Sequence, residues 1–230
     1  MQGLLLVDKP KTWTSFDVVN YVRKMVAEIE GKKPKNCKVG HTGTLDPMAT
    51  GLLVLLIGKE YTRRAGELSK QDKTYDVTMK LGETSTTADE EGEKTVMSDR
   101  KPSKTEVSEA LAHFTGQIMQ VPPAFSAMKI NGQRAYKLAR EGKAVELEAR
   151  PVTIYENRLT EYDYPYVKFT SHVSSGTYIR SLVTDLGELL ATGAYMSDLQ
   201  RTQIADFTLP DAMAPTELTP ELLQAALRQL

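Results

Sequence analysis

Cysteine is almost missing from these 230 residues, and Cys37 stands alone. It has no partner for an intrachain disulfide, so stability must come from a buried core, which a chain of this length can build without covalent staples. Histidine is scarce too. His41, His113 and His172 are the full set; no His-x-x-x-His spacing and no cysteine pair accompanies them, so a zinc site has no ligand set and no metal is expected. No apolar run reaches the roughly 20 residues that span a bilayer. Met1-Gln2-Gly3, followed by a short apolar run and Asp8-Lys9, lacks the basic start and apolar length of a secretory signal, so a reducing cytoplasm is the expected compartment and no membrane partner is implied. A dominant charge of one sign is also absent. The 29 Lys and Arg residues oppose 30 Asp and Glu residues, for a net charge of -1, which excludes a protein that grips nucleic acid over its whole surface.

What charge there is lies in patches. Lys32, Lys33, Lys35 and Lys38 crowd one stretch, and Arg134, Lys137, Arg140 and Lys143 recur at near-helical spacing, while Asp89, Glu90, Glu91 and Glu93 gather elsewhere. Segregation of this kind can steer a polyanion to one face although the total is near zero. Each patch alone reads equally well as a solvated loop or helix face.

Hydrophobic periodicity supplies the elements. Gly3 to Val7 is a short strand; Thr14 or Ser15 then caps a helix with Val18, Val19, Val22, Met25, Val26 and Ile29 on one face. The stretch KVGHTGTLDPMATG is too rich in glycine, with Asp-Pro inside it, to read as regular structure, and the run Leu52 to Ile57 after it reads as a buried strand. Lys73 to Leu81 alternates, placing Tyr75, Val77, Met79 and Leu81 on one face. Residues 82 to 102 read as a polar, acidic connection. Ser103 and Glu106 form a capping box for a helix carrying Val107, Leu111 and Phe114, which Gly116 is expected to stop. From about 120 to 150 the pattern changes to adjacent prolines, Asn131-Gly132 and a short basic helix ending at Gly142, an excursion suited to RNA contacts. Val152 to Ser174 supplies two strands, Thr177 opens a helix, a strand runs from Leu199 to Phe207, and Thr219 starts a last helix. There are no repeats. The expected fold is α+β, a mixed, mostly antiparallel sheet flanked by helices, in a single catalytic domain over 1–230.

Asp46 is the residue with the clearest chemical promise, a carboxylate held before Pro47 in a glycine-containing loop. On residue type alone it reads as readily as a turn former. Five separated segments change the weighting: LLLVDKP near the start, GHTGTLDPMATG around Asp46, KTYDVTMKLG around Tyr75, QVPPAFSAMKINGQRAY in the excursion, and SSGTYIRSLVTDLG around Arg180. In this order they resemble the bacterial TruB family of transfer RNA pseudouridine synthases, and the resemblance runs through nearly the whole length.

The resemblance implies that Asp46 is the carboxylate essential for isomerising the T-loop uridine, position 55 of the RNA, attacking either the uracil ring or the ribose anomeric carbon of a flipped nucleotide. It implies that Arg180 pairs with Asp46, where a fixed guanidinium would favour the ionised nucleophile. Tyr75 matches the aromatic that stacks on the target base. Tyr178 and Leu199 match residues lining the same pocket, although on pattern alone Leu199 is a core leucine and Tyr178 a half-buried helix residue. His41 matches the histidine that enters the RNA loop in place of the extruded base. Lys9, Arg134, Lys137 and Arg140 are the expected substrate-binding cations. No cofactor is expected, because exchanging a C-N for a C-C glycosidic bond is redox-neutral.

This chain departs from the family pattern at Phe125, often tyrosine, at Lys11 or Thr12, often glycine, and at Arg63, often lysine. Many members also carry a small C-terminal RNA-binding domain of the PUA type, which is not expected before Leu230. The implied partner is the T-arm stem-loop of transfer RNA, bound by a monomer without a protein partner. The competing readings are a guide-RNA-dependent synthase subunit, a transfer RNA folding chaperone, and a hydrolase pairing Asp46 with Asp8 or Asp185.

Overall fold

The computed structural model describes residues 1–126, 128–130, 132–143, 145 and 147–229. In chain order its elements are β1 (Gly3–Lys9), α1 (Ser15–Ile29), β2 (Val39–His41), β3 (Thr50–Ile57), α2 (Lys59–Arg63), α3 (Ala65–Leu68), β4 (Lys73–Leu81), β5 (Glu83–Ser85), β6 (Lys94–Val96) and α4 (Lys104–His113). There follow β7 (Gly116–Gln120), β8 (Lys129–Ile130), β9 (Gln133–Arg134), α5 (Ala135–Arg140), β10 (Arg150–Asp163), β11 (Tyr166–Val173), α6 (Ile179–Leu189), β12 (Ala194–Ile204), β13 (Phe207–Thr208) and α7 (Pro220–Ala225). The chain forms two compact units, Met1–Tyr75 with Leu199–Leu230, and Asp76–Asp198.

The first unit is organised around β3. It pairs antiparallel with β1 in the register Leu5↔Leu55, antiparallel with β2 in the register Gly40↔Leu56, and parallel with the later part of β12 through Gln200↔Thr50 and Arg201↔Gly51. Leu5, Val7, Leu53, Leu55 and Ile57 pack on one side with Val18, Val22 and Val26 of α1 and Leu223 of α7. Leu4, Leu6, Leu52, Val54 and Leu56 pack on the other with Tyr61 and Ile204. Burial on both faces is why these strands read as unbroken apolar runs. Helix α1 begins with a reciprocal cap, Thr14 accepting from the Asp17 amide and Asp17 accepting from the Thr14 amide.

In the second unit β10 joins its neighbours β11 and β7 antiparallel, Ile154 facing Val173 and Gly116. Helix α6 buries Ile179, Leu182, Val183 and Leu186, and α4 buries Val107 and Leu111. The α+β class and the mixed, mostly antiparallel sheet flanked by helices are as expected.

Several local expectations are corrected. Val39–His41 is a strand, because the open edge of β3 offers its amides a ladder. Residues 82 to 102 contain the hairpin β5–β6, with Glu83 opposite Val96. Helix α4 ends at His113 with Phe114 as its C-cap, while Gly116, at φ 106°, opens β7. Helix α6 starts after Tyr178, so Thr177 is not its cap. Helices α2 and α3 add to the expected elements; each spans barely more than one turn, too short for a periodic signal. Asn131 of the expected Asn-Gly turn lies outside the described residues, although the flanking β8 and β9 pair as a hairpin. No helix among the described residues is long and apolar enough to cross a membrane.

Candidate active site

Asp46 is half-buried in the loop that leads from β2 to β3. The loop is irregular yet held at many points. The Ser15 hydroxyl, buried at the start of α1, donates to the Leu45 carbonyl at 3.0 Å and accepts from the Leu45 amide at 2.8 Å. The Thr12 amide donates to the Pro47 carbonyl at 2.8 Å, and the Ala49 amide donates to the Asp46 carbonyl at 3.1 Å. The backbone on either side of this carboxylate is thereby fixed.

Lys9 contributes from beneath. Its side chain is fully buried, and its ammonium donates to the carbonyls of Pro10, Trp13 and Pro47. This corrects the expectation that Lys9 contacts substrate: all three donors of the ammonium are used inside the protein. Burial drives its pKa down to about 8, against the opposing attraction of Asp46.

Thr12 occupies a left-handed conformation, φ 74°. A β-branched side chain is strained there, where glycine would not be. Thr12→Gly removes a cost of roughly 1–2 kcal/mol and loosens the unfolded chain by roughly half as much, so it is expected to raise stability by about 0.5–1 kcal/mol. The urea midpoint checks this, with m unchanged.

His41 closes β2 beside this loop. Burial, followed by the positive charge of Arg201, lowers its pKa, so the ring is neutral at neutral pH. Its Nδ1 is buried with no hydrogen-bond partner among the described residues. Tyr75 and Leu199 are both buried, at 8% and 6% exposure. Tyr75 makes no described hydrogen bond, so its ring packs as an apolar plate.

In the second unit Arg180 lies in the first turn of α6 with its side chain only 8% exposed. Its Nη1 stands 3.5 Å from Asp89 Oδ2 and donates to the Thr87 carbonyl at 3.3 Å, while Nη2 donates to the Phe125 carbonyl at 2.8 Å. Asp89 is itself buried and also accepts from the Thr87 hydroxyl and the Glu91 amide. In sequence it is one acid of the run that includes Glu90, Glu91 and Glu93. A carboxylate in such a run carries no mark of burial, and only the fold that brings residues 87–89 to α6 reveals it.

The root of the excursion is fastened to the same helix. Gln120, buried, donates to the Tyr178 carbonyl at 3.1 Å and accepts from the Tyr178 amide at 2.8 Å; the Ser181 hydroxyl donates to the Val121 carbonyl at 2.7 Å. Tyr178, Arg180 and Ser181 are thus tied to residues 120–125. Further out, Arg134, Lys137 and Arg140 are exposed, with the Arg140 guanidinium over the Tyr136 ring at 5.8 Å. No cluster of three metal-ligating side chains occurs among the described residues.

Comparison with known proteins matches the chain to one family. The profile of the TruB family pseudouridylate synthase (N terminal domain) covers residues 29–179, and that of the tRNA pseudouridylate synthase B C-terminal domain covers 180–229. A protein named tRNA pseudouridine synthase B from Clostridium novyi is 47% identical over 221 residues, 96% of this chain and 73% of that one. One of the same name from Parabacteroides distasonis is 44% identical over 222 residues, covering 96% and 93%. Among solved structures, a chain of a Cbf5-Nop10-Gar1 complex superposes with a TM-score of 0.72 at 25% identity, over 99% of this chain and 60% of that one. A chain of an H/ACA RNP bound to a substrate RNA containing 2'-deoxyuridine gives 0.66 at 25% identity, over 94% and 52%.

Proposed function

The chain belongs to the TruB family of pseudouridylate synthases, and from that premise we propose that it converts the T-loop uridine at position 55 of transfer RNA into pseudouridine, with Asp46 as the essential carboxylate. It is a tRNA pseudouridine synthase, an isomerase. The observation that carries the finer reading is the loop around Asp46: its backbone is bonded at Leu45, Pro47 and Ala49, leaving a half-buried carboxylate at a fixed place. In this reading a flipped uridine meets Asp46, the ring of Tyr75 stacks on the base, Leu199 lines the same pocket, and Tyr178 is a further substrate contact. Arg180, oriented by Asp89, is a further charged group taking part in the reaction. His41, neutral and planar, fills the place that the base leaves in the RNA loop.

The uracil leaves C1' through N1 and returns through C5, so atoms and electrons balance within the substrate and the protein supplies only orientation, charge and a nucleophile. Purified protein incubated with a T-arm stem-loop tests the whole reading. The RNA should keep its mass and length while one uridine becomes pseudouridine; a shortened RNA would point instead to hydrolysis.

We further read the enzyme as a monomer of the cytoplasm that needs no guide RNA. Independence of a guide RNA is supported by the relatives named for transfer RNA, 44–47% identical to it against 25% for the Cbf5 chain. The exposed cations of α5 serve as phosphate contacts. Replacing Arg134, Lys137 and Arg140 together by alanine is expected to raise KM and to flatten the slope of log kcat/KM against log salt by about 2, because three fewer counterions are released per RNA bound. An unchanged slope would place the phosphate contacts elsewhere.

A further inference from the structure

Arg201 is among the largest fully buried side chains, at 1% exposure, and no carboxylate pairs with it among the described residues. An uncompensated guanidinium in a core is costly, and an apolar residue would fill the same strand position more cheaply. Its hydrogen bonds show what the charge is used for. Nε donates to the Leu52 carbonyl at 2.7 Å and Nη2 donates to the Gly43 carbonyl at 3.2 Å. Gly43 precedes Asp46 and Leu52 follows it, so one planar group joins the two stems of the loop that carries the carboxylate.

The surroundings are shaped for this reach. Arg201 faces Gly51 in the parallel pairing of β12 with β3, where a Cβ on Gly51 would stand 2.4 Å from the Arg201 carbonyl oxygen. That glycine, at φ 99°, lets the two backbones approach. A Cβ on Gly43 would come within 3.6 Å of Nη1, so the guanidinium lies directly against the loop backbone. Its charge also depresses the pKa values of Lys73 and His41 after burial has done so, which marks Arg201 as a source of positive potential around the loop.

We propose that Arg201 is a positioning residue for the isomerisation: its guanidinium staples Gly43 to Leu52 and thereby holds Asp46 at the height its chemistry requires. The inference rests on the assignment of Asp46 as the essential carboxylate. Lysine at this position keeps the charge but is a point donor, unable to span two carbonyls as a planar fork does; glutamine keeps a neutral donor and loses the charge.

The experiment compares wild type, Arg201→Lys and Arg201→Gln by urea denaturation, by affinity for a T-arm stem-loop, by single-turnover pseudouridine formation, and by hydrogen exchange at the Leu45 and Ala49 amides. Both variants should remain folded at the assay temperature and bind the stem-loop within threefold of wild type. Single-turnover rates should fall at least tenfold, and exchange at Leu45 and Ala49 should speed up at least tenfold while the core of α1 is unchanged. Retention of the wild-type rate, a loss confined to affinity, or unfolding of Arg201→Lys under assay conditions would each overturn the proposal, the last by showing that Arg201 holds the fold rather than the loop. The exchange measurement needs no turnover. If the loop loosens but wild-type protein forms no pseudouridine, the staple stands and the functional assignment fails.

Discussion

Asp46→Asn is expected to leave T-arm binding within a few-fold of wild type and to lower single-turnover pseudouridine formation by at least about a thousandfold, or ~4 kcal/mol. The substitution keeps the volume and planar shape of the side chain and removes only the negative charge and its nucleophilicity. The loop that carries it is secured through backbone groups and the Ser15 hydroxyl, none of which the substitution touches. A pure loss of kcat is therefore the signature to look for, since an interaction made only in the transition state leaves ground-state binding intact. Residual turnover near one tenth of wild type would sink the assignment of Asp46 as nucleophile.

Arg180→Lys is the second large effect, an expected fall of about a hundredfold in the same rate, or ~2.7 kcal/mol. The guanidinium bonds the carbonyls of Thr87 and Phe125 and the carboxylate of Asp89. These contacts use its planar fork, and an ammonium on a flexible stem cannot make all of them from one position. Asp89→Asn separates orientation from charge. It leaves Arg180 in place but deprives a buried cation of an acidic partner, a change that in buried pairs costs about 3–5 kcal/mol of stability and is eased here by the two carbonyls. If Arg180 takes part in the reaction, Asp89→Asn should slow turnover at temperatures where the variant is still fully folded by circular dichroism. Wild-type turnover in folded Arg180→Lys would remove Arg180 from the mechanism.

Burial of α6 explains why Arg180 is so exposed to error in a one-dimensional reading. A lone arginine in the first turn of a helix is commonly a surface residue, and nothing in Thr177-Tyr178-Ile179-Arg180 signals the carbonyls and carboxylate waiting for it. The same holds for Lys9, expected among the substrate-binding cations; the fold wraps Pro10, Trp13 and Pro47 around its ammonium.

The amino-acid sequence by itself determined the larger elements and the location of the loop. Periodicity of two in Lys73–Leu81, unbroken apolar runs in Leu4–Val7 and Leu52–Ile57, and the Thr14 and Ser103 caps depend on residues adjacent in the chain, so local physics suffices to place them. The motif around Asp46 was legible for the same reason, being one contiguous segment. Only the tertiary structure decided which charges are buried. Lys9 is bonded to Pro47, Asp89 to Arg180, and Arg201 to Gly43 and Leu52, partners separated by 38 or more positions. The cost of burying an ion is repaid only by groups that fold topology brings to it, and that pairing leaves no trace in local spacing.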